Sequence, residues 1–184
     1  MPQIPMDRYH FLARLLHWLM ALGFVFMWAC GYAMSSLVGE DTPLEELLFG
    51  LHISGGVTLA FLLILRIALR LVLPHPAPVA GLSRWEHIGS QLGHLALYLL
   101  PALVIAIGWA ETDFGGHSVS WFGIDMPKLL PTTEVLWGWE VEEVTEVLHR
   151  WLAYGMLAVA VVHVAAVVKH RREGHDVLPR MTFR

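Results

Sequence analysis

Four apolar stretches, each long enough to cross a lipid bilayer, constrain this chain more than any other feature of its sequence. A hydrocarbon core of about 30 Å needs roughly 20 residues of helix. Stretches that pass this test lie at about 12–35, 47–73, 87–110 and 144–168, with ends placed to within about two to four residues. The second is stopped by Pro74, Pro76 and Pro78, and the third carries Pro101 inside it. Each is apolar around its whole circumference, and none alternates with period two as a membrane strand would. In lipid a single segment can satisfy its own backbone only as a helix. Composition agrees: 56% of residues are hydrophobic and only 15% charged, where a soluble domain is about a quarter charged. A soluble fold of 184 residues could not bury so much apolar surface, because small domains bury a smaller fraction of it. The expected fold is therefore all-α: an integral membrane four-helix bundle forming one domain over residues 1–184, multi-pass, with membrane lipid as a partner.

The basic residues orient the bundle. Arg8 and Arg14 precede the first span, Arg66, Arg70 and Arg84 surround the link between the second and third, and Lys169, Arg171, Arg172, Arg180 and Arg184 follow the fourth. With four spans, all three groups fall on one side, which the positive-inside rule makes cytoplasmic together with both termini. The opposite side is acidic, with Glu40, Asp41, Glu45 and Glu46 in the first loop and further carboxylates from Glu111 to Glu146; Lys128 and Arg150 are its only Lys or Arg. The first span, long and interrupted by His17, reads as retained rather than as a cleaved leader. The segment at about 111–143 is one long outside loop, and its Phe114, Trp121, Phe122 and Trp137 suggest that it lies on the bilayer surface. Cys30 is the only cysteine, which excludes an intrachain disulfide or a cysteine-held cluster. Nothing resembles a nucleotide cradle, a hydrolase triad or a nucleic-acid surface; the basic tail suits anionic lipid.

Chemistry points to the histidines, of which there are 11. An ionisable residue inside a span is costly and marks a functional candidate. Five fall inside spans: His17, His52, His94, His149 and His163. His149 and His163 are fourteen positions apart, about 40° short of four full turns, so they share a face about 21 Å apart along the axis. Each then has a partner at matching depth: His17 with His163 near the inner end, His52 with His149 near the outer end. Bis-histidine pairs between helices can hold haem in a bundle core, and two axial histidines leave iron without an open position, which suits electron transfer. Structural zinc wants four clustered ligands, and these pairs do not cluster.

Lesser candidates surround the four histidines. Gly55 and Gly56 follow His52 at helical spacing, where they could admit a porphyrin or simply a neighbouring helix. Arg66 and Arg70 could pair with haem propionates or act as snorkelling anchors. His94, with Gln91 one turn away, has no partner of its own and could donate to a quinone carbonyl or be a packed histidine.

The chain resembles the bacterial cytochrome b561 family, grouped with the membrane cytochrome b subunits of nickel-iron hydrogenases and formate dehydrogenases. The matching residues are Leu16, His17 and Trp18; LHISGG from Leu51 to Gly56; RIALRL from Arg66 to Leu71; GHLALY from Gly93 to Tyr98; WFGIDMP from Trp121 to Pro127; and Leu148 through His163. The resemblance implies a four-helix bundle with two haems b, an outer one on His52 and His149 and an inner one on His17 and His163. It implies a bacterial inner membrane location and exchange of electrons with ubiquinone or another quinone. One relative is a superoxide:ubiquinone oxidoreductase. Superoxide is an anion and would be captured faster by a positive funnel, for which this face has Lys128 and Arg150. Its acidic rim better suits a basic periplasmic redox protein. The leading expectation is thus transmembrane electron transfer between a periplasmic partner and quinone. Superoxide oxidation is the alternative, a haem-free proton-relay transporter the second, and an anchor for a soluble redox subunit a further one. Whether the chain is itself an enzyme stays open at this point.

Overall fold

The structure is a computed structural model that describes residues 7–183; of the tail basic residues, Arg184 lies outside them. Four long helices dominate it: α1 (Phe11–Ser36), α2 (Pro43–Val72), α3 (Arg84–Phe114) and α4 (Val141–Arg172). All four are long and apolar enough to cross a membrane. α2 and α3 start ahead of their apolar stretches because polar caps extend them into the interface. Thr42 accepts a hydrogen bond from Glu45 N, and Pro43 occupies the first turn of α2. Ser83 and Glu86 form a reciprocal capping box at the start of α3. Such caps satisfy backbone N–H groups that the helix leaves unpaired.

The segment between α3 and α4 folds into two short antiparallel hairpins, β1 (Ser120–Trp121) with β2 (Ile124–Asp125) and β3 (Val135–Leu136) with β4 (Trp139–Glu140). Asp113, at the end of α3, anchors this segment. It is only 1% exposed, and its Oδ2 accepts from Leu129 N at 2.8 Å and Leu130 N at 2.9 Å. The first hairpin packs against α2 rather than lying apart on the surface. Ser54 Oγ donates to the Ser120 carbonyl and accepts from Phe122 N, while Trp121 Nε1 donates to Thr58 Oγ1.

The helices pack as two antiparallel pairs, α1 with α2 and α3 with α4, and the pairs touch each other much less than they touch internally. A seam therefore runs between the pairs. Midway along it, Met20, Leu59 and Leu63 form a buried apolar layer with Phe24, Met27, Leu62, Tyr98 and Ile105. Outside the seam the helices present bare hydrocarbon: Leu22, Val25, Ile64 and Val162 are each more than half exposed. Apolar surface on this scale belongs against lipid. At the basic end the tail folds back on α1. Arg14 Nη1 donates to the Thr182 carbonyl at 2.6 Å, Trp18 Nε1 to Met181 O at 2.9 Å, and Tyr9 N to Arg180 O at 3.2 Å.

Candidate functional site

The histidines meet at two levels of the seam, one above and one below the apolar layer. On the acidic side, His52 of α2 faces His149 of α4 with ring centroids 6.0 Å apart and planes at 72°. On the basic side, His17 of α1 faces His163 of α4 at 6.4 Å and 66°. The fourteen-residue spacing on the unbroken α4 puts the two levels about 21 Å apart.

The acidic level is preset. His149 Nδ1 lies 2.9 Å from the Val104 carbonyl of α3. A carbonyl only accepts, so Nδ1 carries the proton and Nε2 keeps its lone pair, as in the outer-shell support of metal-bound histidines. Glycine on the neighbouring helix makes room for each ring. A Cβ at Gly108 would fall 2.8 Å from His149 Cε1, and one at Gly31 3.2 Å from His52 Cε1. His52 Nδ1 is buried and makes no hydrogen bond within 3.5 Å among the described residues, although the ring interacts with the Met27 backbone.

The basic level is more polar and has a third ring. His94 of α3 stands 5.6 Å from His163, and Ser90 Oγ lies 3.4 Å from His94 Nδ1. Arg66 Nη2 lies 3.3 Å from His17 Nδ1 and Nη1 donates to the Ala13 carbonyl. The guanidinium has no acceptor, so His17 Nδ1 accepts here. Arg66 also lies over the Tyr98 ring at 5.7 Å. Arg66 and Arg70 are both within electrostatic reach of His94. His94 and Gln91 are exposed.

The donor sets fit a metal held between imidazoles. With metal–nitrogen bonds of about 2 Å, two opposed rings on one ion have centres roughly 6 Å apart, which both facing pairs satisfy. The seam decides between the three rings of the basic level. His17 and His163 stand on opposite helix pairs, as do His52 and His149, whereas His94 and His163 stand on the same one. The absence of clustered third and fourth ligands among these described histidines suits a flat prosthetic group, which would supply its own further donors.

Gly55 and Gly56 face α1: a Cβ at Gly55 would fall 2.5 Å from Met27 Sδ, and one at Gly56 3.8 Å from Met27 Cε. That contact supports the helix-packing reading of the two glycines. Of the two cations on the acidic side, Lys128 donates to Thr132 Oγ1 and Arg150 pairs with Glu146. Gly31, Gly108, the Val104 carbonyl and Asp113 were not singled out from sequence. A further trio, Glu86, His170 and Glu173, gathers at the basic end, but the Lys169 ammonium sits between its carboxylates at 2.5 and 2.9 Å. It reads as an ionic clasp between α3 and α4.

Comparison with known proteins agrees with this geometry. A family profile described as prokaryotic cytochrome b561 matches residues 8–184. Cytochrome b561 homolog 2 of Escherichia coli (strain K12) is 30% identical over 177 residues, covering 95% of this chain and 91% of that protein.

Proposed function

The chain belongs to the prokaryotic cytochrome b561 family, and from that premise we propose that it carries electrons across the bacterial inner membrane between a basic periplasmic redox protein and the quinone pool. Membership brings with it haem b, a multi-pass bacterial membrane location and transmembrane electron transfer. The proposal adds two haems b per chain, one that His52 and His149 would hold at the acidic level and one that His17 and His163 would hold at the basic level. The observation that carries it is the pair of seam-crossing histidine contacts at 6.0 and 6.4 Å. Haem b, when bound, would supply a one-electron iron couple suited to electron transfer.

The chain's own residues do the rest. The apolar layer of Met20, Leu59 and Leu63 keeps water out between the levels. Glu45, Glu46, Glu134, Glu140, Glu142 and Glu143 give the acidic face a field that speeds encounter with a cationic partner. Placing that face in the periplasm follows the positive-inside rule. Arg66 and Arg70, on the basic side, would receive propionates. His94, with Ser90 behind it and Gln91 nearby, is the donor offered to a quinone oxygen. Superoxide is the weaker reading, because Arg150 is tied to Glu146 and the acidic field repels an anion.

A reduced-minus-oxidised spectrum of the purified protein, with haem counted per chain, tests the proposal. Two low-spin b-type haems are expected. One would mean that a pair is misassigned. None, in protein made with ample haem, would overturn the site assignment and favour the proton-relay reading. His94→Phe is expected to keep both haems and slow reduction by quinol; unchanged quinol kinetics would remove His94 from the quinone role.

A further inference from the structure

We propose that the β1–β2 hairpin is a re-entrant element seated in the hydrocarbon of the leaflet on the acidic side, where its turn contacts lipid acyl chains. This is independent of the electron-transfer reading. The depth follows from α2. Its charges stop at Glu46 and resume at Arg66, a rise of about 30 Å that equals a bilayer's hydrocarbon thickness. Measured from α4, whose last acidic-side charge is Arg150 beside His149 at the level of His52, Ser54 lies just inside the charged boundary and Thr58 about one further turn in, within the acidic-side leaflet. These are the residues that hold the hairpin, and Trp121 reaches as far as Phe61, ring to ring at 5.4 Å.

Irregular backbone survives at that depth only when protein satisfies its polar groups. Two hydroxyls one helical turn apart do so here. Ser54 Oγ serves both Ser120 O and Phe122 N, and Thr58 Oγ1 takes the Trp121 indole N–H. Met126 N closes the hairpin on Val119 O at 2.8 Å. Asp125, at the end of β2 away from the turn, is the hairpin's one charge and is exposed; from Val119 through Ile124 there is none, and the outward side chains nearest the turn are apolar: Phe122 is 68% exposed and Ile124 60%. The turn is made by Phe122 and Gly123, both left-handed, with φ 49° and 86°. Asn-Gly is the usual choice for such a turn; an aromatic at the left-handed position exchanges backbone ease for an apolar tip.

The second hairpin supplies the contrast. It makes the same turn with Trp137 and Gly138, yet it has a carboxylate at the outer end of each strand, Glu134 and Glu140, where the first hairpin has only Asp125, and Trp137 is 91% exposed. It belongs at the water interface. The experiment places an NBD probe at Phe122→Cys or at Trp137→Cys, in full-length protein carrying Cys30→Ala, reconstituted into phospholipid vesicles. Chain nitroxide lipids are expected to quench the probe at 122 several-fold more than at 137, and aqueous iodide to do the reverse. Iodide quenching at 122 equal to that at 137 would overturn the proposal, whether water or a protein partner then covers the tip. Ile124→Cys with the same probe gives an independent reading should the Phe122 variant fail to assemble. Ser54→Ala with Thr58→Val is expected to release the hairpin and make the probe at 122 accessible to iodide; unchanged lipid quenching would overturn the role of the two hydroxyls.

Discussion

The two histidine levels use the same helix, α4, for one imidazole each and surround it differently. At the acidic level the ring of His149 is wedged between the Gly108 backbone and the Val104 carbonyl, so its rotamer and tautomer are settled before any metal arrives. At the basic level His163 has His17 across the seam and His94 beside it, and His17 is engaged by a guanidinium that must release Nδ1 if the proton is to sit there. One level is a cradle of backbone and glycine; the other is an adjustable polar site. That division suits a carrier whose acidic end only passes electrons while its basic end also handles a proton-coupled substrate.

The largest effects come from the axial positions. His149→Ala is expected to remove the acidic-level haem and leave the other, and His163→Ala the converse, as read from haem per chain and low-spin EPR signals. His17→Ala is expected to lose the basic-level haem although His94 is near, because His94 stands on the same helix pair as His163. A full complement of haem in His17→Ala would dissolve the seam argument.

Gly108→Ala comes next. Its Cβ would lie 2.8 Å from Cε1 and 2.9 Å from Nδ1 of His149, and overpacking of this kind costs about 1–3 kcal/mol. Acidic-level haem affinity is expected to fall roughly tenfold to a hundredfold, with the basic-level EPR signal unchanged. Gly93→Ala and Gly155→Ala, where a Cβ meets nothing within 4 Å, serve as controls.

Periodicity and depth made the spans and the paired histidines legible, because lipid demands long apolar helices and a fourteen-residue step is a property of one helix. The caps at Thr42 and Ser83 are local signals too, and they account for the extra turns. What stayed hidden depends on which neighbour covers a face. Gly55 and Gly56 lie on the His52 side by spacing, but Met27 of α1 fills that side. Gly31 and Gly108 carry no local mark and matter only through a ring on another helix. Asp113 looks like one more carboxylate on an acidic loop, yet it is the fully buried anchor of Leu129 and Leu130. The hairpins went unseen because Phe-Gly and Trp-Gly replace the usual Asn-Gly turn.

Arg66→Gln probes the basic level. A cation beside His17 favours the iron that has gained an electron, so its removal is expected to lower the midpoint of one haem and leave the other in place. The shift expected in a redox titration is at most about 59 mV, a tenfold change for a one-electron couple. Equal shifts in both midpoints would mean that the two levels share one electrostatic environment.

Gly31→Ala should have the smallest effect and divides the acidic level itself. The added Cβ would lie 3.2 Å from His52 Cε1 and 3.6 Å from Nδ1, so the ring must give by only a few tenths of an ångström. It can, because His52 has only a loose interaction with the Met27 backbone to give up, unlike the tethered His149. Haem content is therefore expected to stay whole while the acidic-level EPR g value shifts as the two ring planes rotate relative to each other. If Gly31→Ala instead costs as much haem as Gly108→Ala, His52 is held as firmly as His149 by contacts other than hydrogen bonds. The rigidity of the acidic level would then belong to the pair rather than to its α4 half.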